Sequence, residues 1–204
     1  MIDPFNIIIT GVGGQGNVLA ARMLGNTLTK AGYYVTIGET FGASQRGGSV
    51  MSHLRVSKES SWSPQIPKGK AHLIIALEPI ESLRVLAAYG NRDVKVVSNT
   101  RPIYPVGVIC GDLAYPSLPD LNTAVAQLCD DARFINATEE AVALGHPILS
   151  NVIMVGAAAG LGLLPIDDES FKSVISENVP ESKIDINMKA YRKGKEMAVD
   201  PVKF

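Results

Sequence analysis

Cysteine is scarce in this chain of 204 residues, which contains two, Cys110 and Cys129. An iron–sulfur cluster takes about four thiolate ligands, and a structural zinc site of the common kind also draws on several. Two thiols are too few for either, and we interpret both as buried thiols. We therefore predict no metal site in this chain, so that any metal-centred redox chemistry associated with it must reside on another chain.

Charged residues are also few, at 19% of the sequence against about 25% in average proteins. The 19 basic and 20 acidic side chains nearly cancel, and no stretch is rich in Lys and Arg. A surface of this kind has no general attraction for nucleic acid, which we exclude as a partner. Because 46% of the residues are hydrophobic, a chain of this length can fold around its own core without disulfide bonds.

The sequence shows neither a signal peptide nor a membrane span. Residues 1–6 contain an acid and a proline and lack the basic region that opens a signal peptide. The uncharged run at residues 148–164 is rich in Ala and Gly and is shorter than the about 20 apolar residues that span a bilayer. We expect a cytoplasmic protein in which this run is a helix buried within the chain, with a subunit contact as the alternative.

Strand-like and helix-like segments alternate along the chain. Residues 5–10 form a short apolar run, residues 17–31 place apolar side chains on one helical face, and residues 33–37 return to a strand pattern. We predict a Rossmann-like, doubly wound, mostly parallel α/β sheet in a single domain, residues 1–204, with C-terminal helices. The remaining predicted strands are residues 49–56, 73–77, 94–97 and 133–136, and the remaining predicted helices are residues 79–89, 121–129, 139–144, 148–164, 167–179 and 184–198.

Within residues 49–56, polar and apolar side chains alternate. Leu54 and Val56 lie on one face of this predicted strand, and His53 and Arg55 lie on the other. Such alternation predicts a strand with one buried face and one solvent-exposed face.

The first strand is followed by the pattern G-x-G-x-x-G, formed by Gly11, Gly13 and Gly16, directly before the first helix. Glycines in this place allow a tight turn and let a phosphate approach the helix N-terminus, where free amides favour an anion. Glu39 stands 23 residues beyond Gly16, where an acid at the end of the second strand could hold a ribose hydroxyl. The pattern predicts nucleotide binding, although the same glycines also serve simply to pack a helix against a strand.

A second loop, residues 39–50, is dense in glycine and polar side chains. Arg46 is a planar donor suited to a carboxylate or phosphate, and Gly47 and Gly48 are free to expose their backbone amides. If this loop faces the first glycine loop, the two form an anion site at the carboxyl ends of the strands. The alternative is a surface turn that carries a solvated arginine.

Two motifs in this order, Gly-Val-Gly-Gly-Gln-Gly at residues 11–16 and Gln-Arg-Gly-Gly-Ser-Val at residues 45–50, resemble the gamma-type domain of the 2-oxoacid:ferredoxin oxidoreductases. Within that family, Ser-Asn-Thr at residues 98–100 and the proline-broken stretch up to residue 116 resemble the beta subunit of the indolepyruvate branch. The resemblance extends over nearly the whole chain.

The resemblance implies a two-chain enzyme that converts an aryl pyruvate such as indolepyruvate to an acyl-coenzyme A and reduces ferredoxin. It places thiamine diphosphate and the [4Fe-4S] clusters on a larger alpha subunit, so that this chain binds no cofactor by itself, is inactive alone and meets coenzyme A as a co-substrate. No residue here is predicted to be catalytic or to bind a metal. The residues expected to contact coenzyme A or to shape its site are Gly11, Gly13, Gly14, Gln15, Gly16, Glu39, Arg46, Gly47 and Gly48.

Three other functions remain open from the residues. The chain could be the gamma subunit of an enzyme for another 2-oxoacid, an independent NAD(P)-binding Rossmann protein, or a nucleotide-sensing module without catalysis. None of His53, His72 and His146 has a Ser, Cys or acid at a spacing that predicts a catalytic triad, so we expect all three to have structural roles.

Overall fold

A computed structural model describes residues 2–42 and 48–199 and shows a six-stranded mixed sheet. The strands lie in the order β2-β3-β1-β4-β5-β6. β1, β4, β5 and β6 pair in parallel, whereas β3 is antiparallel to both β1 and β2. The strands are β1 (Phe5–Val12), β2 (Tyr34–Phe41), β3 (Ser49–Ser57), β4 (Leu73–Ala76), β5 (Lys95–Asn99) and β6 (Asp131–Ile135).

The position of β3 corrects one part of the predicted doubly wound, mostly parallel sheet, because this strand runs antiparallel to its two neighbours and makes the sheet mixed. β3 lies between β1 and β2, with His53 opposite Ile8 on one side and opposite Gly38 on the other. β2 and β3 are separated by residues 42–48, which is too short for the crossover of a dozen or more residues that joins parallel strands. The connection is therefore a hairpin. Its second strand, β3, lies between β1 and β2, the two strands of the first β-α-β unit.

Helices cover both faces of the sheet, as predicted for an α/β protein. One core contains Ile7 and Ile9 of β1 and the apolar faces of α1, α6, α7 and α8. The other contains Ile8 with side chains from α2 and α4. The helices are α1 (Asn17–Lys30), α2 (Pro79–Tyr89), α3 (Val106–Ile109), α4 (Leu118–Gln127), α5 (Ala137–Ala143), α6 (Ser150–Gly160), α7 (Asp168–Asn178) and α8 (Glu181–Val199), and a 3₁₀ turn (Pro147–Leu149) precedes α6.

The prediction that the strand at residues 49–56 has one exposed face is wrong, because β3 is buried on both faces. His53 and Arg55 are 2% and 8% exposed. The connection at residues 58–72 covers their face of the sheet: the Ile66 amide donates to His53 Nδ1 at 3.3 Å, and Arg55 Nη1 donates to the Ser63 carbonyl at 3.2 Å. His53 and Arg55 thus find hydrogen-bond partners in a covering segment instead of in water.

The uncharged run forms a buried helix inside the chain, as predicted. The small residues of α6 let the backbones of α6 and α8 come into direct contact. A Cβ atom at Gly156 would lie 2.0 Å from the Tyr191 carbonyl oxygen. At Gly194 of α8, a Cβ atom would lie 1.9 Å from the Ile153 carbonyl oxygen. Within the described ranges, no helix combines the length and apolar character needed to cross a bilayer.

Candidate functional site

The glycine loop, residues 13–16, lies at the point where the chain changes direction across the sheet. From β1 the chain first forms β2 and β3 on one side of that strand and then returns to form β4 on its other side. Because α1 and α2 then cover opposite faces, the loops that follow β1 and β4 diverge. In open α/β sheets, ligands bind in the crevice at such a switch point.

Gln15 fixes the floor of this crevice. Its Oε1 accepts a hydrogen bond from the Val12 amide at 2.8 Å, and its Nε2 donates to the Leu77 carbonyl at 2.8 Å. Gly11 makes room for this side chain, since a Cβ atom there would lie 2.6 Å from Gln15 Oε1. The Gln15 side chain thus joins the ends of β1 and β4, and Gly11 is required by that packing.

Gly14 and Gly16 give the loop its shape. Both have positive φ, 99° and 83° respectively, which glycine adopts readily and other residues rarely do. Gly16 is the N-cap of α1 and provides no side-chain cap, so the first turn of this 14-residue helix keeps the polarity that attracts an anion. At Gly14, a Cβ atom would meet open space, which leaves its backbone accessible from the crevice.

A hydrogen bond between described residues joins the two predicted loops. The Gly13 amide donates to the Gly48 carbonyl at 2.8 Å, and the next residue, Ser49, donates through Oγ to Glu81 at 2.5 Å. Gly48 is therefore held beside the glycine loop. Arg46 and Gly47 lie outside the residues that the structure describes.

Glu39 is placed differently from the acid of a dinucleotide-binding fold. It is exposed on β2 and pairs with Ser52 of β3, which in turn pairs with Ile9 of β1. Two interstrand spacings amount to about 10 Å. The strand inserted between β1 and β2 thus separates Glu39 from the glycine loop.

A cleft of about 670 Å³ opens beside the glycine loop. Gly14 and Gln15 form one side, and the turn that contains Pro147 and Ile148 forms another. Residues 101–104, which follow β5, form a third wall that includes the exposed Arg101 and Tyr104. Sequence analysis did not identify this wall as part of the site, although the prolines at 102 and 105 already indicated an irregular segment at the end of a strand.

Comparison with known proteins decides the family. The sequence model described as "Pyruvate ferredoxin/flavodoxin oxidoreductase" matches residues 6–197. The chain belongs to the pyruvate ferredoxin/flavodoxin oxidoreductase family. This confirms the resemblance read from the two glycine-containing motifs.

Relatives in this family cover nearly the whole chain. "Indolepyruvate oxidoreductase subunit IorB" of Pyrococcus horikoshii is 39% identical over 195 residues, which are 95% of this chain and 95% of that protein. The protein of the same name from Methanothermobacter thermautotrophicus is 34% identical over 190 residues, 93% of this chain and 95% of that one. "Pyruvate synthase subunit PorC" of Methanothermobacter marburgensis is 33% identical over 186 residues, 89% of this chain and 90% of that one.

Solved structures share the fold at lower identity. The gamma subunit of a keto/oxoacid ferredoxin oxidoreductase from Geobacter sulfurreducens superposes with a TM-score of 0.68 at 19% identity, covering 96% of this chain and 99% of that one. A 2-oxoglutarate:ferredoxin oxidoreductase from Magnetococcus marinus, solved with 2-oxoglutarate, coenzyme A and succinyl-CoA, superposes with a TM-score of 0.75 at 21% identity. This chain aligns over its full length with 32% of that larger chain.

Two buried acids at the start of α2 join this helix to segments on either side of β4. Glu78 is fully buried, and burial raises the pKa of its carboxyl group although hydrogen bonds from Tyr115 and from backbone amides act in the opposite direction. Glu81 accepts hydrogen bonds from Thr10, Ser49 and Arg84. The helix that follows β4 thus anchors the start of β3 through Glu81 and the segment after β5 through Glu78.

The histidines have the structural roles expected of them where their contacts are defined. His53 accepts from the Ile66 amide, and His72 Nδ1 accepts from the Asn6 amide at 2.8 Å. Burial lowers the pKa of both rings, so they are neutral acceptors. His146 lies at the protein surface, 3.3 Å from Lys183 Nζ.

The cysteines differ from each other. Burial raises the pKa of the half-buried Cys129 to about 11, and its thiol donates to the Val125 carbonyl. Cys110 is exposed, which corrects the prediction of a buried thiol, because it follows the short helix α3, none of whose residues is buried. Among the described residues, no three His, Cys, Asp or Glu side chains cluster closely enough to hold a metal ion.

Removal of the Gln15 side chain tests its place in the cleft floor. Gln15→Ala loses two hydrogen bonds that join β1 to β4, so we expect the free energy of unfolding to fall by about 2 kcal/mol, measured by urea denaturation. Gln65→Ala, at an exposed position, is the matched control and should change it by less than about 0.5 kcal/mol. Equal stabilities of the two variants would show that the bridge does not hold the loop.

Proposed function

We propose that this chain is the smaller subunit of an indolepyruvate ferredoxin oxidoreductase. With a larger partner it completes the oxidative decarboxylation of an aryl pyruvate to an acyl-coenzyme A, with reduction of ferredoxin. The observation that carries the proposal is the identity of 39% to an indolepyruvate oxidoreductase subunit over 95% of both chains. A match over this share of both sequences supports one common framework in which the two proteins differ by substitution.

The redox centres of the proposed enzyme belong to the partner. Thiamine diphosphate supplies the carbanion chemistry that cleaves the 2-oxoacid, and iron–sulfur clusters accept the electrons one at a time. This chain offers two cysteines, one exposed and the other half-buried with a raised pKa, which is a poor set of ligands for a cluster. Its role is to complete the catalytic unit.

The cleft at the switch point supports a contact with coenzyme A. The phosphates of this co-substrate suit the N-terminus of α1 and the accessible backbone of Gly14, and the Arg101 side chain adds a cation at the facing wall. We propose that the glycine loop contacts coenzyme A, with Gly11, Gly13, Gln15 and Gly16 shaping it. We extend the proposal to Arg46, Gly47 and Gly48 of the second loop. Glu39 is left outside it, because β3 separates this residue from the glycine loop.

One alternative has a specific observation in its favour. A pyruvate synthase subunit is 33% identical to this chain over 89% of its length, which favours a subunit of the same kind for another 2-oxoacid. The independent NAD(P)-binding protein is less well supported, since β3 separates Glu39 from the glycine loop.

The proposal is tested by reconstitution of this chain with its larger partner. We expect coenzyme A-dependent ferredoxin reduction with indolepyruvate, weaker reduction with pyruvate or 2-oxoglutarate, and no turnover by this chain alone. A preference for pyruvate or 2-oxoglutarate would support the alternative subunit. Full activity of the isolated chain, or calorimetric binding of NAD(H) or NADP(H), would contradict the assignment.

Arg46→Ala tests the second loop within the same enzyme. Loss of one hydrogen bond to an anionic group weakens binding by about tenfold, so we expect the KM for coenzyme A to rise by about that factor with folding near normal. Arg92→Ala is the control, because Arg92 is exposed and precedes β5, at the end of the sheet where the parallel strands begin. If both variants retain the wild-type KM, Arg46 is a solvated surface residue.

A further inference from the structure

Glu78 is a buried carboxylate that the proposed function does not use. It is 0% exposed and follows β4 directly as the N-cap of α2, where its Oε2 accepts from the Glu81 amide at 3.1 Å. Its other oxygen, Oε1, accepts from the Tyr115 hydroxyl at 2.5 Å and from the Ile103 amide at 3.2 Å. One oxygen thus caps the helix, and the other accepts hydrogen bonds from two residues of the segment between β5 and α4.

One of those residues belongs to the cleft wall, and the other contacts it. Ile103 lies in the wall, and Tyr115 contacts the wall residue Tyr104 edge to face, with ring centroids 5.1 Å apart. Between β5 and α4 the regular structure is the four-residue helix α3, whose residues include none that is buried. A segment with so little apolar packing depends on polar contacts to keep one conformation.

The electrostatics suit a permanent contact. Burial and the Glu78 carboxylate raise the pKa of the Tyr115 hydroxyl well above its usual value, so this group stays protonated and donates. The positive end of the α2 dipole stabilises negative charge at the N-cap. Breaking these hydrogen bonds would cost more free energy at a buried carboxylate than at a solvated one, because water cannot replace the lost donors.

We propose that Glu78 and Tyr115 act as a positioning pair that holds residues 101–104 against the glycine loop and thereby sets the affinity of the assembled enzyme for coenzyme A. This inference rests on the proposed function. Neither Glu78 nor Tyr115 is among the residues that line the cleft. Both act through the wall, which presents Arg101 and Tyr104. The pair would affect binding of the co-substrate and leave the chemistry on the 2-oxoacid unchanged.

Tyr115→Phe in the reconstituted enzyme separates positioning from a general structural role. The variant keeps the ring that packs on Tyr104 and removes the hydroxyl. We expect the KM for coenzyme A to rise about tenfold, which corresponds to 1.4 kcal/mol. The KM for the 2-oxoacid and kcat at saturating coenzyme A should remain within about twofold of wild type.

The matched control is Tyr34→Phe, at an exposed position where β2 begins. It should leave all three kinetic constants unchanged. An unchanged KM for coenzyme A in Tyr115→Phe would overturn the inference. A fall in kcat with both KM values unchanged would also overturn it, because it would assign the pair to the reaction and not to the wall.

Hydrogen exchange on the isolated chain tests the tether without any enzyme assay. In Tyr115→Phe, peptides that cover residues 101–105 should take up deuterium at least severalfold faster than in wild type, with unchanged exchange in α6 as the internal control. Equal uptake would contradict the tether even if the reconstituted enzyme is active. If the wild-type complex has no activity with coenzyme A while the exchange differs, the proposed function fails and the tether stands.

Discussion

The pairing of β1 with β4 is the constraint on which the rest of the structure depends. β1 already pairs with β3 on its other side, so the chain that leaves β4 must continue away from the first hairpin. α1 and α2 then cover opposite faces, and the loops that follow β1 and β4 open a crevice. Gln15 closes the bottom of that crevice, and Glu78, which follows β4 almost directly, reaches the wall beyond β5.

Local patterns in the sequence predicted the parts of the structure that local forces determine. The glycine loop was placed correctly between a strand and a helix, since positive φ and close packing at residues 11–16 leave a strong signal. The buried helix α6 followed from a run without charge. The insertion of β3 was missed, although the short connection at residues 42–48 excludes a parallel neighbour. Two nonlocal contacts were not predicted, the cover over His53 and the hydrogen bonds to Glu78, because each joins residues that no sequence motif links.

The candidate site was predicted in part for the same reason. The sequence predicts that Gly13 and Gly48 form one site if their two loops face each other, and the structure joins these two residues with a hydrogen bond. For residues 101–104 the sequence predicts only an irregular segment. Prolines indicate where regular structure ends, but they do not indicate which part of the protein the segment faces. Glu39 was assigned by analogy with a fold in which β2 lies beside β1, and here another strand occupies that place.

The central proposal is that this chain is one subunit of a redox enzyme whose redox centres lie on a larger partner. The most direct test is purification of the tagged chain from native extract, with the partner identified by mass and the visible absorbance of the complex recorded. The account predicts one larger partner in a stable complex that shows iron–sulfur absorbance and contains thiamine diphosphate. Recovery of this chain alone, or with a partner that carries neither group, would contradict it.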